Sequence, residues 1–303
     1  MWGPRSRTSS LRGKNSASPE PMSHSGGTER QSLQFGFSSK KVRILTKRHR
    51  QMSKKIIINN LAVNYYERAG ADGAPTLLFL HGWRSAGAVW QKLTEKLPNY
   101  NIYAPDFPGF GQSEAPKKNF TVGDYAGLVD GFIKKLGLNK VNIIGHSFGG
   151  RVAIKLAAKN PFYLDKLILA DSAGVRQFSF SLMLKKIVAK TVSPIFQLKI
   201  TQGARRIIYQ KLSADDYLAA PDRRQTFLNI INEDLTPLLG KIKAPTLLIW
   251  GGDDKETPLN QARVMERSVP GSKLVVLKNA GHYGFLDQPE EFVKNLIDFI
   301  NEK

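Results

Sequence analysis

The 303-residue chain contains no cysteine, which excludes disulfide cross-links and thiolate metal sites while carrying little information on compartment. It has no apolar run long enough to span a bilayer, and no apolar stretch of the secretory kind near its beginning. A cytoplasmic location is therefore expected. Acidic residues are sparse, 25 against 45 Lys and Arg, and the basic surplus is uneven. Residues 1–51 hold eleven Lys or Arg against two Glu. This segment, rich in Ser, Arg and Gly with scattered Pro, has too little apolar surface to fold, so 1–52 reads as a disordered basic tail. Its acid-poor make-up bears a weak likeness to an organellar transit peptide, while Met52-Ser-Lys-Lys directly before the first apolar run suggests that translation starts there. The remaining chain has no basic stripe interleaved with stacking aromatics, so nucleic-acid binding is not expected.

From Ser53 onward, short apolar runs recur at 54–58, 61–67, 76–80, 101–104, 141–144, 166–170, 245–250 and 273–277, with helical stretches between them. That alternation predicts a mostly parallel sheet with helices on both faces. Thr121-Val-Gly-Asp124 reads as a capping-box-like start to a helix running to about Leu136, Thr257-Pro258 as a proline just inside a helix start, and 289–300 as an amphipathic closing helix.

Between the run 141–144 and the helix-like 151–159 lies Gly145-His146-Ser147-Phe148-Gly149. A strand that turns sharply into a helix strains the central residue and leaves no room for side chains at the flanking positions, so a serine there is presented at the tip of the turn. A serine hydroxyl becomes a nucleophile when an imidazole takes its proton and an acid orients that imidazole. The chain has five histidines. His24 and His49 lie in the tail, His81 precedes a glycine at the end of an apolar run, and His146 adjoins the serine but points away from it at the turn. His282, on the glycine-rich 278–284 loop after the 273–277 run, is the candidate base. The acid is expected on the loop after the preceding strand, where Asp253 and Asp254 stand in Gly251-Gly-Asp-Asp-Lys-Glu-Thr-Pro258.

These segments together resemble the α/β-hydrolases of the esterase, C–C hydrolase and haloperoxidase-like group, over nearly all of 53–303. The resemblance implies an eight-stranded, mostly parallel sheet in a core formed by 53–174 and 229–303, with a helical lid over 175–228. Its G-x-x-D-x-x-x-P pattern selects Asp254 as the acid, with Asp171, after the 166–170 run, as an alternative position used by some members. It also assigns the oxyanion donors to the backbone N–H groups of Phe148 and, through the His-Gly-x pattern at His81-Gly82-Trp83, of Trp83. Asp106, in Ala104-Pro-Asp-Phe-Pro-Gly-Phe-Gly111, corresponds to an aspartate that braces its loop. Members that act as haloalkane dehalogenases or epoxide hydrolases carry aspartate at the position of Ser147, which disfavours those activities.

The 175–228 window combines apolar residues with ten Lys or Arg against three Asp. Arg176, Phe178 and Met183 are candidate substrate contacts, and the composition fits a small ester-like substrate with an acyl or aromatic body and an acid group, or a lid touching anionic lipid. A solvated basic outer face over an apolar inner one fits equally. The expectation is a serine hydrolase acting on a carboxylic ester or lactone with no cofactor and no metal. A C–C bond hydrolase of the meta-cleavage type is the alternative, and a ligand-binding receptor on a hydrolase scaffold is a third reading, opposed by the presence of every member of the triad.

Overall fold

The computed structural model describes residues 52–175 and 223–302. Eight strands form one sheet: β1 (Met52–Ile58), β2 (Leu61–Arg68), β3 (Thr76–Leu80), β4 (Asn101–Pro105), β5 (Val141–His146), β6 (Leu164–Ala170), β7 (Thr246–Gly251) and β8 (Lys273–Leu277). Their order is β1-β2-β4-β3-β5-β6-β7-β8. The β1–β2 hairpin pairs antiparallel and lies antiparallel against β4, and all remaining pairs are parallel. The expected fold class is thus observed. β1 starts two residues earlier than the apolar pattern indicated, because Met52 and Ser53 continue the ladder opposite Glu67 and Tyr66. The chain therefore enters the sheet at Met52, not after it.

Alternating residues of the central strands feed two separate cores. Leu78 and Leu80 of β3 and Leu248 and Trp250 of β7 join one, packed by helices α2 (Val122–Lys135), α3 (Phe148–Ala157) and α6 (Leu259–Ser268). Leu77, Phe79, Leu247 and Ile249 join the other, with Trp90 and with helices α1 (Gln91–Glu95), α7 (Gly284–Asp287) and α8 (Pro289–Asn301). Period-two side-chain alternation with apolar residues on both sides is what a sheet covered on both faces requires.

Local signals explain the helix ends. Thr121 and Asp124 exchange side-chain and backbone hydrogen bonds in a capping box at the start of α2. In α8, Pro289 opens the helix, Glu290 and Glu291 face its positive end, and Phe292, Leu296 and Phe299 bury one stripe. Pro258 sits one position earlier than expected, at the cap before α6 rather than inside it.

Of the expected lid, residues 176–222 lie outside the described residues, Arg176, Phe178 and Met183 among them. Its last part, Arg224–Leu228, belongs to helix α4 (Arg224–Asn232), which runs through the boundary expected at 228. The helix continues because Thr226 and Ile230, one turn apart, both bury against the core, and Thr226 Oγ1 accepts the Phe120 N–H at 3.1 Å. The short α5 (Thr236–Leu239) then leads into β7.

Candidate active site

The strand order reverses at β3, which has β4 on one side and β5 on the other. At such a switch point the loops leaving the carboxyl ends of the strands diverge and open a crevice. The loops after β3, β5, β7 and β8 carry Trp83, Ser147, Asp254 and His282.

Ser147 lies between β5 and α3 with φ 50° and ψ −112°, a conformation rarely adopted by a residue with a side chain. Its neighbours hold it there. Ser147 N–H donates to the Ala170 carbonyl at 3.2 Å, and its own carbonyl accepts from Ala173 N–H at 3.1 Å, tying the turn to the end of β6. The glycines of the motif are required by close approach. A Cβ at Gly145 would lie 2.7 Å from the Gly149 carbonyl oxygen, and one at Gly149 would overlap the Leu80 carbonyl.

The Ser147 hydroxyl donates to His282 Nε2 at 2.9 Å. On the other side of the ring, His282 Nδ1–H donates to Asp254 Oδ2 at 2.9 Å. The structure therefore brings Ser147, His282 and Asp254 into one hydrogen-bonded chain, with Asp254 and His282 buried. Asp254 is held from the far side: its Oδ1 accepts the N–H groups of Glu256 and Thr257 at 2.8 and 3.0 Å, and Thr257 Oγ1 donates to Oδ2 at 2.6 Å. Burial pushes the Asp254 carboxyl up, but the hydrogen bonds from His282 and Thr257 overcome this and leave it below its ordinary value. Burial likewise pulls the His282 imidazole down, and the hydrogen bond and charge of Asp254, helped by Glu256, lift it above the ordinary value.

Asp253 is exposed and its backbone N–H bonds the Ala280 carbonyl, so its carboxylate is not the one facing His282. Asp171 is buried and braces the frame: its two carboxylate oxygens accept Gly251 N–H at 2.7 Å and Gly284 N–H at 3.2 Å. Burial, reinforced by the nearby Asp254 charge, pushes it up to about 7 against those two hydrogen bonds. Asp106 is also a brace, accepting from Asn64 Nδ2 at 2.9 Å, Gly87 N–H at 2.6 Å and Gln112 N–H at 2.9 Å. His81 donates from Nδ1 to the Gly82 carbonyl at 2.8 Å and accepts the Phe107 N–H on Nε2 at 2.9 Å. Burial brings it to about 4, so it is neutral.

The N–H groups of Trp83 and Phe148 make no backbone hydrogen bond among the described residues. Phe148 opens α3, where N–H groups lack partners within the helix. The Trp83 ring packs against Phe110, Phe148 and Phe227 at 4.8, 5.5 and 5.3 Å between centroids.

Three contributors escaped the sequence reading. Thr257 is one; a threonine three residues after an aspartate that leads into a helix is the signal that could have found it. His146 is another: its Nε2–H donates to the His282 carbonyl at 2.7 Å, so the residue before Ser147 steadies the loop that carries His282. Burial and the neighbouring His282 pull its imidazole down to about 3. The third is Glu256, whose Oε2 lies 3.4 Å from His282 Nε2.

The sequence profile of the alpha/beta hydrolase family matches residues 77–295. The chain is 25% identical over 268 residues to the 2-hydroxy-6-oxo-6-phenylhexa-2,4-dienoate hydrolase of Comamonas testosteroni, covering 79% of this chain and 91% of the relative. It is 26% identical over 269 residues to a monoacylglycerol lipase of Xenopus laevis, covering 78% of each. A solved bacterial membrane phospholipase A superposes with a TM-score of 0.68 at 26% identity, over 86% of this chain and 90% of that one.

Proposed function

This chain belongs to the α/β-hydrolase family, and from that membership and the Ser147–His282–Asp254 array we propose that it is a serine hydrolase cleaving a carboxylic ester or lactone through an acyl-enzyme. The observation that carries the reading is a strained serine whose hydroxyl donates to an imidazole at 2.9 Å while a buried carboxylate takes the other ring N–H at 2.9 Å. Ser147 Oγ attacks the carbonyl carbon as its proton passes to His282 Nε2, and Asp254 stabilises the imidazolium. The carbonyl oxygen becomes an oxyanion held by the N–H groups of Phe148 and Trp83. His282 returns the proton to the leaving oxygen, then activates the water that releases the acyl group. No step calls for a cofactor.

A monoacylglycerol lipase and a phospholipase among the relatives support an ester substrate. The dienoate hydrolase supports the second reading, cleavage of a C–C bond by the same residues. An acid group on the substrate rests on the composition of 175–228 and so belongs to this proposal. The decisive experiment combines an organophosphonate probe with p-nitrophenyl esters of graded acyl length and a dienoate C–C substrate. Labelling at Ser147, ester turnover, and loss of both in Ser147→Ala are expected. Ester hydrolysis by Ser147→Ala near the wild-type rate refutes the assignment, and turnover of the dienoate alone moves the substrate class to the second reading.

A further inference from the structure

Glu256 has no part in the reaction as written above, yet its Oε2 stands 3.4 Å from His282 Nε2, the nitrogen that the Ser147 hydroxyl reaches at 2.9 Å. Its main chain is fixed, because the Glu256 N–H donates to Asp254 Oδ1 at 2.8 Å. Its side chain is 69% exposed, which puts the carboxylate on the solvent side of the imidazole. Among the described residues no lysine or arginine pairs with it. A negative charge therefore stands beside His282 with no cation against it among the described residues.

In acylation the bond from Ser147 Oγ to the carbonyl carbon forms, the bond from that carbon to the leaving oxygen breaks, and the proton on His282 Nε2 moves to the leaving oxygen. The leaving oxygen must then lie within hydrogen-bond reach of Nε2, about 3 Å. Substituents on the carbons next to that oxygen consequently come within a few ångströms of Glu256 Oε2. We propose that Glu256 selects the leaving group by charge: alcohols bearing a cation near the ester oxygen are favoured, and alcohols bearing a carboxylate are rejected. This inference rests on the acyl-transfer reading of the site. It also confines any acid group of the substrate to the acyl half, since the same acid on the alcohol would face Glu256 at close range.

The test uses butyrate esters of choline, of its uncharged isostere 3,3-dimethylbutanol and of glycolate, with the full-length wild type and the Glu256→Gln and Glu256→Lys variants. The readout is the ratio of kcat/KM values for charged and uncharged leaving groups within each enzyme, so that a general change in acylation rate cancels. An exposed ion pair is worth enough to favour the choline ester on the order of 3- to 5-fold in the wild type. That preference is expected to fall to about 1 in Glu256→Gln and to invert in Glu256→Lys, with the glycolate ester gaining in the same order. Added salt should shrink the wild-type preference. Ratios that are the same in all three enzymes overturn the inference while leaving the hydrolase reading intact. Failure of the wild type to hydrolyse even the uncharged ester removes the acyl-transfer reading itself, and the inference with it.

Discussion

Replacing Asp254 by asparagine changes one oxygen to an amide nitrogen and should cost several orders of magnitude in turnover. Oδ1 accepts two backbone N–H groups, from Glu256 and Thr257, so the asparagine carbonyl is held on that side. Its NH2 group then faces Thr257 Oγ1 and His282 Nδ1, where the carboxylate Oδ2 had accepted. An NH2 donor cannot accept the Nδ1 proton, and the imidazole turns to the tautomer with hydrogen on Nε2. That tautomer points a donor at the Ser147 hydroxyl and cannot take its proton. The same replacement in the serine-protease triad lowers kcat about 10⁴-fold, equivalent to roughly 5.4 kcal/mol of barrier at 1.36 kcal/mol per decade. Steady-state turnover of a p-nitrophenyl ester measures it, with Asp253→Asn as control because that residue is exposed and should lose little. The pH profile adds a second readout. Asp254 and Glu256 hold the His282 value above that of free imidazole, so the acid limb of wild-type kcat/KM should lie above about pH 6.5. Any residual activity of Asp254→Asn should have its acid limb displaced downward. Activity of Asp254→Asn within tenfold of wild type, or a collapse produced only by Asp171→Asn, would show that His282 is oriented by another group.

Asp171 offers a stability test. Its folded value of about 7 exceeds the ordinary carboxylate value of about 3.9, so its contribution is fully present below that ordinary value and is lost as pH rises through 7. Denaturant melts of Asp171→Asn and wild type should therefore diverge with pH, the variant gaining on the order of 3 kcal/mol relative to wild type between about pH 5 and pH 8. Parallel pH profiles would contradict it. At Gly149 an added methyl group would overlap main-chain atoms of Leu80 and His81, which cannot yield without moving β3. Gly149→Ala should thus lose about 3 kcal/mol or fail to fold. Gly127, within α2 and with open space where its Cβ would stand, should gain about 0.5–1 kcal/mol as alanine. Equal Tm values for the two glycine variants would refute the close-approach argument.

The sheet was readable because each central strand is a short apolar run covered on both faces, and such runs are conspicuous in any sequence with polar loops. The elbow was readable for a related reason: a tight strand-to-helix turn restricts its flanks to glycine, and glycines at fixed spacing survive as a pattern. His282 could be reached by discarding the other histidines. Strand ends and caps were less legible. Met52 joins β1 only because Glu67 of β2 stands opposite it, and α4 crosses the expected boundary only because Phe120 offers partners to Thr226 and Asn229.

What the sequence determined by itself was local: which segments are strands and helices, where the serine is presented, and which loops carry Asp254 and His282. Its choice of Asp254 over Asp253 came from a resemblance, and tertiary structure gives the physical reason. Asp253 and Asp254 are adjacent in the chain, and only the fold turns one toward solvent while Thr257 and His282 enclose the other. The same holds for His146, which meets the carbonyl of a residue 136 positions away, and for Glu256, whose approach to the outer nitrogen of His282 depends on the β7 and β8 loops folding side by side. Contacts of that kind are set by the spatial order of strands, a property of the assembled sheet that no window of sequence contains.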